Sequence, residues 1–379
     1  MNALRDLFLL DPNVVFLNHG SFGACPKPVF EAYQAWQLEL ERQPVAFLGR
    51  RFDALMDAAR EPLAVYLNTA RDNLVYVQNA TTGVNIVARS LDWQPGDEIL
   101  TTDHEYGACN FTWEEMCART GARYVKVAMP LPVTTHADFV ERLWAGVTPR
   151  TKLIYLSHIT SPTGLIFPVA EVCRRARAAG IMTLVDGAHA PGHIPIDLTA
   201  IDADFYTGNF HKWLCAPKGS AFLFARPEQQ AALLPPTISW GWTETRTFVT
   251  AHQPQGTRDP AAYLTVPNAI QFQRDYDWDS VRASCYALIR ETRERLMAVT
   301  ELDPIMPDGE GWIGQMVAHP IPVQVEDALA FKTRLYDEYR VEAPIVVWGG
   351  RVFIRISVQG YNTRADIDHL ISALTSMLH

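Results

Sequence analysis

Between residues 74 and 225 short apolar runs alternate with stretches whose apolar positions recur at helical spacing. The pattern predicts strands at Leu74–Val77, Glu98–Thr101, Tyr124–Ala128, Leu153–Ser157, Met182–Val185, Asp204–Thr207 and Ala221–Phe224. Several of these runs are apolar throughout instead of alternating, as strands buried on both faces of a sheet must be. Helical stretches lie between many of them, such as Val169–Ala179, which ends at Gly180. That order gives βαβ units and a mainly parallel sheet, an α/β fold. Ligands of such sheets bind beyond the carboxyl ends of the strands, where Asp186 and His104 both fall.

The pattern changes after the last of these strands. Leu233–Pro260 is rich in Pro, Trp, Thr and Gly and has little periodicity, so it is predicted to be a long functional loop. From Ala261 to about Thr300 the spacing is helical and predicts one long connecting helix. The remainder, with Gly314–Val325, Ala328–Tyr339, Arg351–Val358 and a final helix from about Arg364, reads as a small α+β domain. The expected division is a large domain over 18–260 and a small one made of 1–17 and 261–379. A chain of 379 residues suits two domains better than one small core.

Composition narrows the function classes. The formal net charge is −9 with acids and bases interspersed, which argues against a nucleic-acid binder and leaves room for a local cationic pocket. The six cysteines, Cys25, Cys109, Cys117, Cys173, Cys215 and Cys285, form no CxxC pair and read as reduced and mostly buried. The first ten residues carry too short an apolar run for a signal peptide, and Asp6 interrupts it. No stretch approaches the ~18 apolar residues of a membrane span. The expectation is a soluble, cytoplasmic protein.

The candidate chemistry lies at strand ends. An apolar run delivers Asp186, and Lys212 follows between His211 and Trp213. A carboxylate and an isolated lysine so placed suit pyridoxal phosphate. The amine makes a Schiff base with the aldehyde, and the acid pairs with the pyridine nitrogen. Phe210, Trp213 and Leu214 around Lys212 favour the neutral amine that this requires. A buried carboxylate is costly unless paired, and a pyridinium would pair Asp186. His189 could hydrogen-bond near the ring hydroxyl or the aldehyde. Lys218, in Ala-Pro-Lys-Gly, reads as a structural turn.

Asn79-Ala80-Thr81-Thr82-Gly83 follows a strand and opens a helix, so it is either a phosphate cradle or a plain N-cap. Thr102-Asp103-His104-Glu105-Tyr106 offers a flat imidazole for stacking, a polar turn, or Tyr106 in either role of stacking or proton transfer. Trp213, Trp240, Trp242 and Trp348 suggest an aromatic-lined pocket or core packing. His189 and His193 have i,i+4 spacing, but Pro191 and Gly192 between them preclude a shared helical face. HExxH, GxxxxGK[ST] and GxSxG are all missing.

Taken together these residues resemble fold-type I pyridoxal-phosphate enzymes of aminotransferase class V, and most closely the isopenicillin N epimerase-like branch. The resemblance runs over nearly the whole chain. It rests on Phe16–Gly23, Asn79–Thr82, Asp103–Tyr106, Val185–His189, His211–Trp213 and Gly256–Pro260 in that order. It implies a large domain with a seven-stranded, mainly parallel sheet. It implies covalent attachment of the cofactor to Lys212, Asp186 on the pyridine nitrogen, His104 stacked on the ring and His189 near the ring hydroxyl. Thr81, Thr82, Asn209 and His211 would hold the phosphate. Thr257 would reach the phosphate of a neighbouring subunit, which implies a homodimer with shared sites.

Arg355 resembles the arginine that grips the carboxylate of a small amino-acid substrate, with Asn18, His19, Gly20 and Tyr106 nearby. A planar guanidinium suits that bidentate task. Relatives that form persulfides carry a cysteine ahead of this segment, and Glu342–Arg351 has none. Ser161 stands where many relatives place an asparagine over the ring. The resemblance implies an epimerase or a C–S lyase, with a class V aminotransferase or a desulfurase-like protein as alternatives. Epimerisation needs a second acid, for which His19 and Tyr106 are candidates. A cofactor-binding regulator without turnover is the non-enzyme alternative, and the intact Lys212, Asp186 and Arg355 stand against it.

Overall fold

The computed structural model describes residues 4–309 and 311–378; the parts of the expected small domain at 1–3, 310 and 379 lie outside the described residues. Seven strands form the main sheet: β1 (Leu74–Val77), β2 (Glu98–Thr102), β3 (Arg123–Val127), β4 (Thr151–Ser157), β5 (Met182–Asp186), β6 (Phe205–Asn209) and β7 (Ala221–Ala225). Their order is β1-β7-β6-β5-β4-β2-β3. All pairings are parallel except those of β7, which runs against both β1 and β6. The seven predicted strands are therefore all present, displaced by at most two residues at an end.

The apolar runs are explained by packing. Val75, Leu153, Leu184 and Leu223 face one core, while Tyr76, Ile154, Val185 and Phe222 face the other. These strands thus bury both faces, and alternation has no reason to appear. The edge strand β3 differs: Arg123 and Lys126 are exposed, and charges on an edge oppose pairing with another chain.

The predicted long connecting helix is instead three helices, Ala261–Leu264, Val266–Asp275 and Trp278–Thr300. Pro267 near the start of the second cannot donate to the preceding turn, and Asp277 sits at φ 45°, a left-handed conformation that stops a helix. The predicted loop Leu233–Pro260 is interrupted by a short helix, Phe248–His252, capped by the Thr247 and Thr250 side chains. Toward the C-terminus, β8 (Met316–Pro320), β9 (Ile345–Trp348) and β10 (Arg351–Ser357) form an antiparallel sheet in the order β9-β10-β8. Val15–Phe16 pairs with Val341–Glu342, and Ser357 N donates to Leu17 O, so the N-terminal segment is tied to this sheet. Among the described residues no helix is long and apolar enough to cross a membrane. All six cysteines are unpaired, and four are buried.

Candidate active site

The carboxyl ends of β2, β4, β5 and β6 and the turn after β1 converge on one cavity of about 600 Å³. Each delivers a polar residue: Ser157 ends β4, Asp186 ends β5, Asn209 ends β6, Asn79 follows β1 and Tyr106 follows β2. The strand order reverses around this point, which opens a crevice beyond the sheet.

Asp186 is 3% exposed. Its Oδ1 accepts the Ala188 amide at 2.9 Å, and its Oδ2 accepts from the Tyr155 hydroxyl at 3.3 Å, with the Cys109 thiol at 3.7 Å. Burial raises its pKa above the usual carboxylate range. The turn that follows requires glycine, because a Cβ on Gly187 would lie 2.2 Å from the Tyr206 hydroxyl.

Lys212 lies just after β6, in a turn closed by Cys215 N donating to Lys212 O and Ala216 N donating to Phe210 O. Its Nζ lines the cavity 3.1 Å from His189 Nε2. Burial, and then the nearby Arg355 charge, push its pKa down to about 7. His189 Nδ1 accepts from Trp213 Nε1 at 3.3 Å, and burial keeps the imidazole neutral.

The opposite wall is built for an anion. The helix Ala80–Ser90 starts there, and Asn79 caps it by accepting from Thr82 N at 2.8 Å. Asn209 Oδ1 accepts the Ala80 amide at 2.8 Å. Thr81 and His211 face the cavity, with His211 Nδ1 donating to Ser220 O and burial pushing its pKa down to about 4. A helix N-terminus with such neighbours favours a phosphate or carboxylate. Thr82 turns its hydroxyl to Asn79 and lines an adjoining groove instead.

Arg355, from β10, lies just behind the wall and is 5% exposed. It donates to Ser161 O at 2.6 Å, Ser161 Oγ at 3.3 Å and Ser21 Oγ at 3.0 Å. Both serines line the cavity, and the buried Nε of Arg355 has no partner. Burial pushes its pKa down to about 10, a sign of a cation held without a counter-ion.

Several expected site residues are placed elsewhere. His104 is fully buried and is not on the cavity wall. Its ring nitrogens meet Thr163 Oγ1 and Met129 O, each at 2.8 Å, and its ring packs on Trp348 with centroids 4.2 Å apart. No face of the imidazole is left for a planar ligand, so the expected stacking role does not match this geometry. Tyr106, two residues on and 45% exposed, faces the cavity. His19 and Gly20 are buried, and His19 bonds to Tyr361 and Lys212 O. Asn18 bonds to Glu342. From this loop it is Ser21 and Phe22 that reach the cavity.

Thr257 is exposed and lines a second cleft of about 880 Å³, which meets the first at Arg258. None of the four tryptophans lines the first cavity: Trp213 is buried, Trp348 packs on His104, Trp242 lies under Arg246 and Trp240 is 94% exposed. Lys218 does reach the wall while donating to Gly23 O, as a turn residue would.

One residue had no role assigned from sequence. Glu105, 4% exposed, lies behind Ser157 with Asp186 nearby. Its signal was an acid between His104 and Tyr106 at the end of an apolar strand.

The geometry combines a lysine amine of lowered pKa, a buried acid, an anion cradle and a guanidinium without a counter-ion around one cavity. The family described as aminotransferase class-V matches residues 18–328. An isopenicillin N epimerase of Amycolatopsis lactamdurans is 35% identical, covering 98% of this chain and 97% of its own. A probable chloroplastic L-cysteine desulfhydrase of Arabidopsis thaliana is 28% identical, covering 97% of this chain and 84% of its own. Among solved structures, a lysine-to-alanine variant of C-DES with glycine covalently linked to its PLP cofactor superposes with a TM-score of 0.83. It is 22% identical and covers 96% of this chain and 97% of its own.

Proposed function

The chain belongs to the aminotransferase class-V family, and on that premise we propose that it epimerises a small amino acid at Cα or cleaves its bond from Cβ to sulfur. Its cofactor is pyridoxal phosphate, and the residues present fit that group. Lys212 supplies a buried amine that is substantially neutral near pH 7. Asp186 is a buried acid that a pyridinium would compensate. The start of the helix Ala80–Ser90, with Thr81 and His211, would hold the phosphate. Bound there, the cofactor draws electrons from the bonds at Cα of an attached amino acid.

The chain's own side chains do the rest. Arg355 would exchange its neutral serine partners for the substrate carboxylate, a stronger charge-assisted bond. The Lys212 amine, once released, would carry the Cα proton. For epimerisation the second proton source is Tyr106, since His19 is sealed away from the cavity. For the lyase course, Glu342–Arg351 offers no thiol to receive sulfur, so sulfur would leave as a free small molecule. A homodimer with shared sites is part of this proposal. The position of Thr257 on a second cleft, away from its own cavity, supports it.

The observation that carries the reading is the Lys212 amine on His189 in one cavity with Asp186. The test is to mix cofactor-loaded protein with L- and D-amino acids, cysteine conjugates included. Visible absorbance, pyruvate release and deuterium exchange at Cα are followed together. Exchange without pyruvate marks an epimerase, and pyruvate marks a lyase. Conversion of the cofactor to its amine form would instead mark a transaminase and overturn the proposal.

A further inference from the structure

Glu105 lies within the site but outside the chemistry assigned above. Its Oε2 accepts from Ser157 N at 2.8 Å and from Ser157 Oγ at 2.5 Å, and its Oε1 accepts from Thr102 Oγ1 at 2.7 Å. All three partners are neutral donors, and together they favour the ionised carboxylate. Ser157 stands directly beside Asp186 in the register of β4 and β5 and itself lines the cavity. Two buried carboxylates therefore share one apolar region. Such a pair is costly unless a cation joins it. Lys212 offsets Asp186 only in part, because burial lowers the pKa of its amine to about 7.

We propose that Glu105 is a positioning residue for the pyridine ring of the cofactor, fixing the Ser157 hydroxyl at the cavity floor and placing a second negative charge behind the cation that Asp186 receives. The proposal rests on the pyridoxal-phosphate reading above. A strand-end acid with a merely structural task would need only the Ser157 and Thr102 hydrogen bonds. It would not need to sit behind a cavity-lining hydroxyl next to the one acid that meets the ring.

The groups facing Glu105 come from each neighbouring element: Asp186 of β5, Tyr155 of β4, Tyr124 of β3 and Cys109 of the helix Gly107–Thr120. None is cationic, and each becomes harder to ionise in the presence of the others. Burial outweighs the hydrogen bonds and leaves Glu105 with a pKa raised to about 7.

The test uses the cofactor-loaded protein and its visible absorbance as a function of pH. Glu105→Gln keeps the shape and can still accept from Ser157 N while removing the charge. Above the Glu105 pKa of about 7, where its carboxylate is ionised, losing that negative charge should move the absorbance midpoint down by about one pH unit, a tenfold fall in proton affinity. Ser157→Ala, a smaller change, should speed cofactor release severalfold. Should Glu105→Gln fail to fold, Ser157→Ala carries the test. If the variants that fold keep the wild-type midpoint and release rate and lose only thermal stability, Glu105 is structural and the proposal falls. The parent reading fails differently: wild-type protein would not colour on reconstitution, or borohydride would not label Lys212.

Discussion

The amine of Lys212 lies 3.1 Å from Nε2 of His189. Because Nδ1 of the same ring accepts from Trp213 Nε1, the single proton of the neutral imidazole belongs on Nε2, which then donates to Lys212. An ammonium could not accept that proton. The pair thus holds Lys212 as a free base, in line with a pKa lowered to about 7 by burial.

Attachment of the cofactor to cofactor-free protein should follow that free base. The rate should rise with pH through a midpoint near 7, where an ordinary lysine would require a pH near 10.5. The sign for stability follows from the same shift. Between about 7 and 10.5 the unfolded chain binds the extra proton, so cofactor-free protein should become more stable as pH rises across that range. Stopped-flow absorbance and thermal melts at several pH values check the two statements.

Lys212→Ala should abolish the visible absorbance that covalent attachment produces. In the wild type, borohydride reduction followed by peptide mapping should place the label on Lys212. A variant with an unchanged spectrum would refute the role.

Arg355→Ala should weaken amino-acid binding by about 10- to 100-fold, the worth of one lost charge-assisted hydrogen-bond pair of about 1.5–3 kcal/mol. Cofactor content should stay near stoichiometric, because the phosphate wall is built from other elements. Substrate titrations followed by absorbance separate the two effects.

His104→Ala and Tyr106→Phe should behave oppositely. Loss of the buried His104 ring takes its hydrogen bond from Met129 O and leaves the Thr163 hydroxyl with Thr160 alone, and should cost about 1–3 kcal/mol of stability. Tyr106→Phe touches a half-exposed side chain and should leave the melting temperature nearly unchanged while reducing Cα exchange in the epimerase course. Paired melts and deuterium-exchange rates decide the matter. A Tyr106→Phe protein with wild-type exchange would remove Tyr106 from the chemistry.

Much of this was legible in the chain. Most of the strands could be read because they bury both faces, so the apolar run is unbroken from Leu74 to Val77 or from Ala221 to Ala225. Asp186 and Lys212 could be read because a charged residue closing such a run is too costly to be incidental. The long connector could not be read. Its helical spacing persists across both breaks: Thr265 keeps a helical backbone ahead of Pro267, and at Asp277 a left-handed backbone ends the helix.

The sequence by itself determined the sheet, the strand ends and the lysine and acid that meet there, since each follows from local patterns of burial and turn formation. The tertiary structure alone decided which neighbour of those residues faces the cavity. His104 and Tyr106 differ by two positions beyond β2, yet one is locked against Trp348 of β9 and the other opens onto the cavity. It alone brought Arg355 from β10 to Ser21 and Ser161, and set Glu105 behind Ser157. Those contacts join segments far apart in the chain, and a turn's side-chain directions depend on what packs against it, which no local pattern encodes.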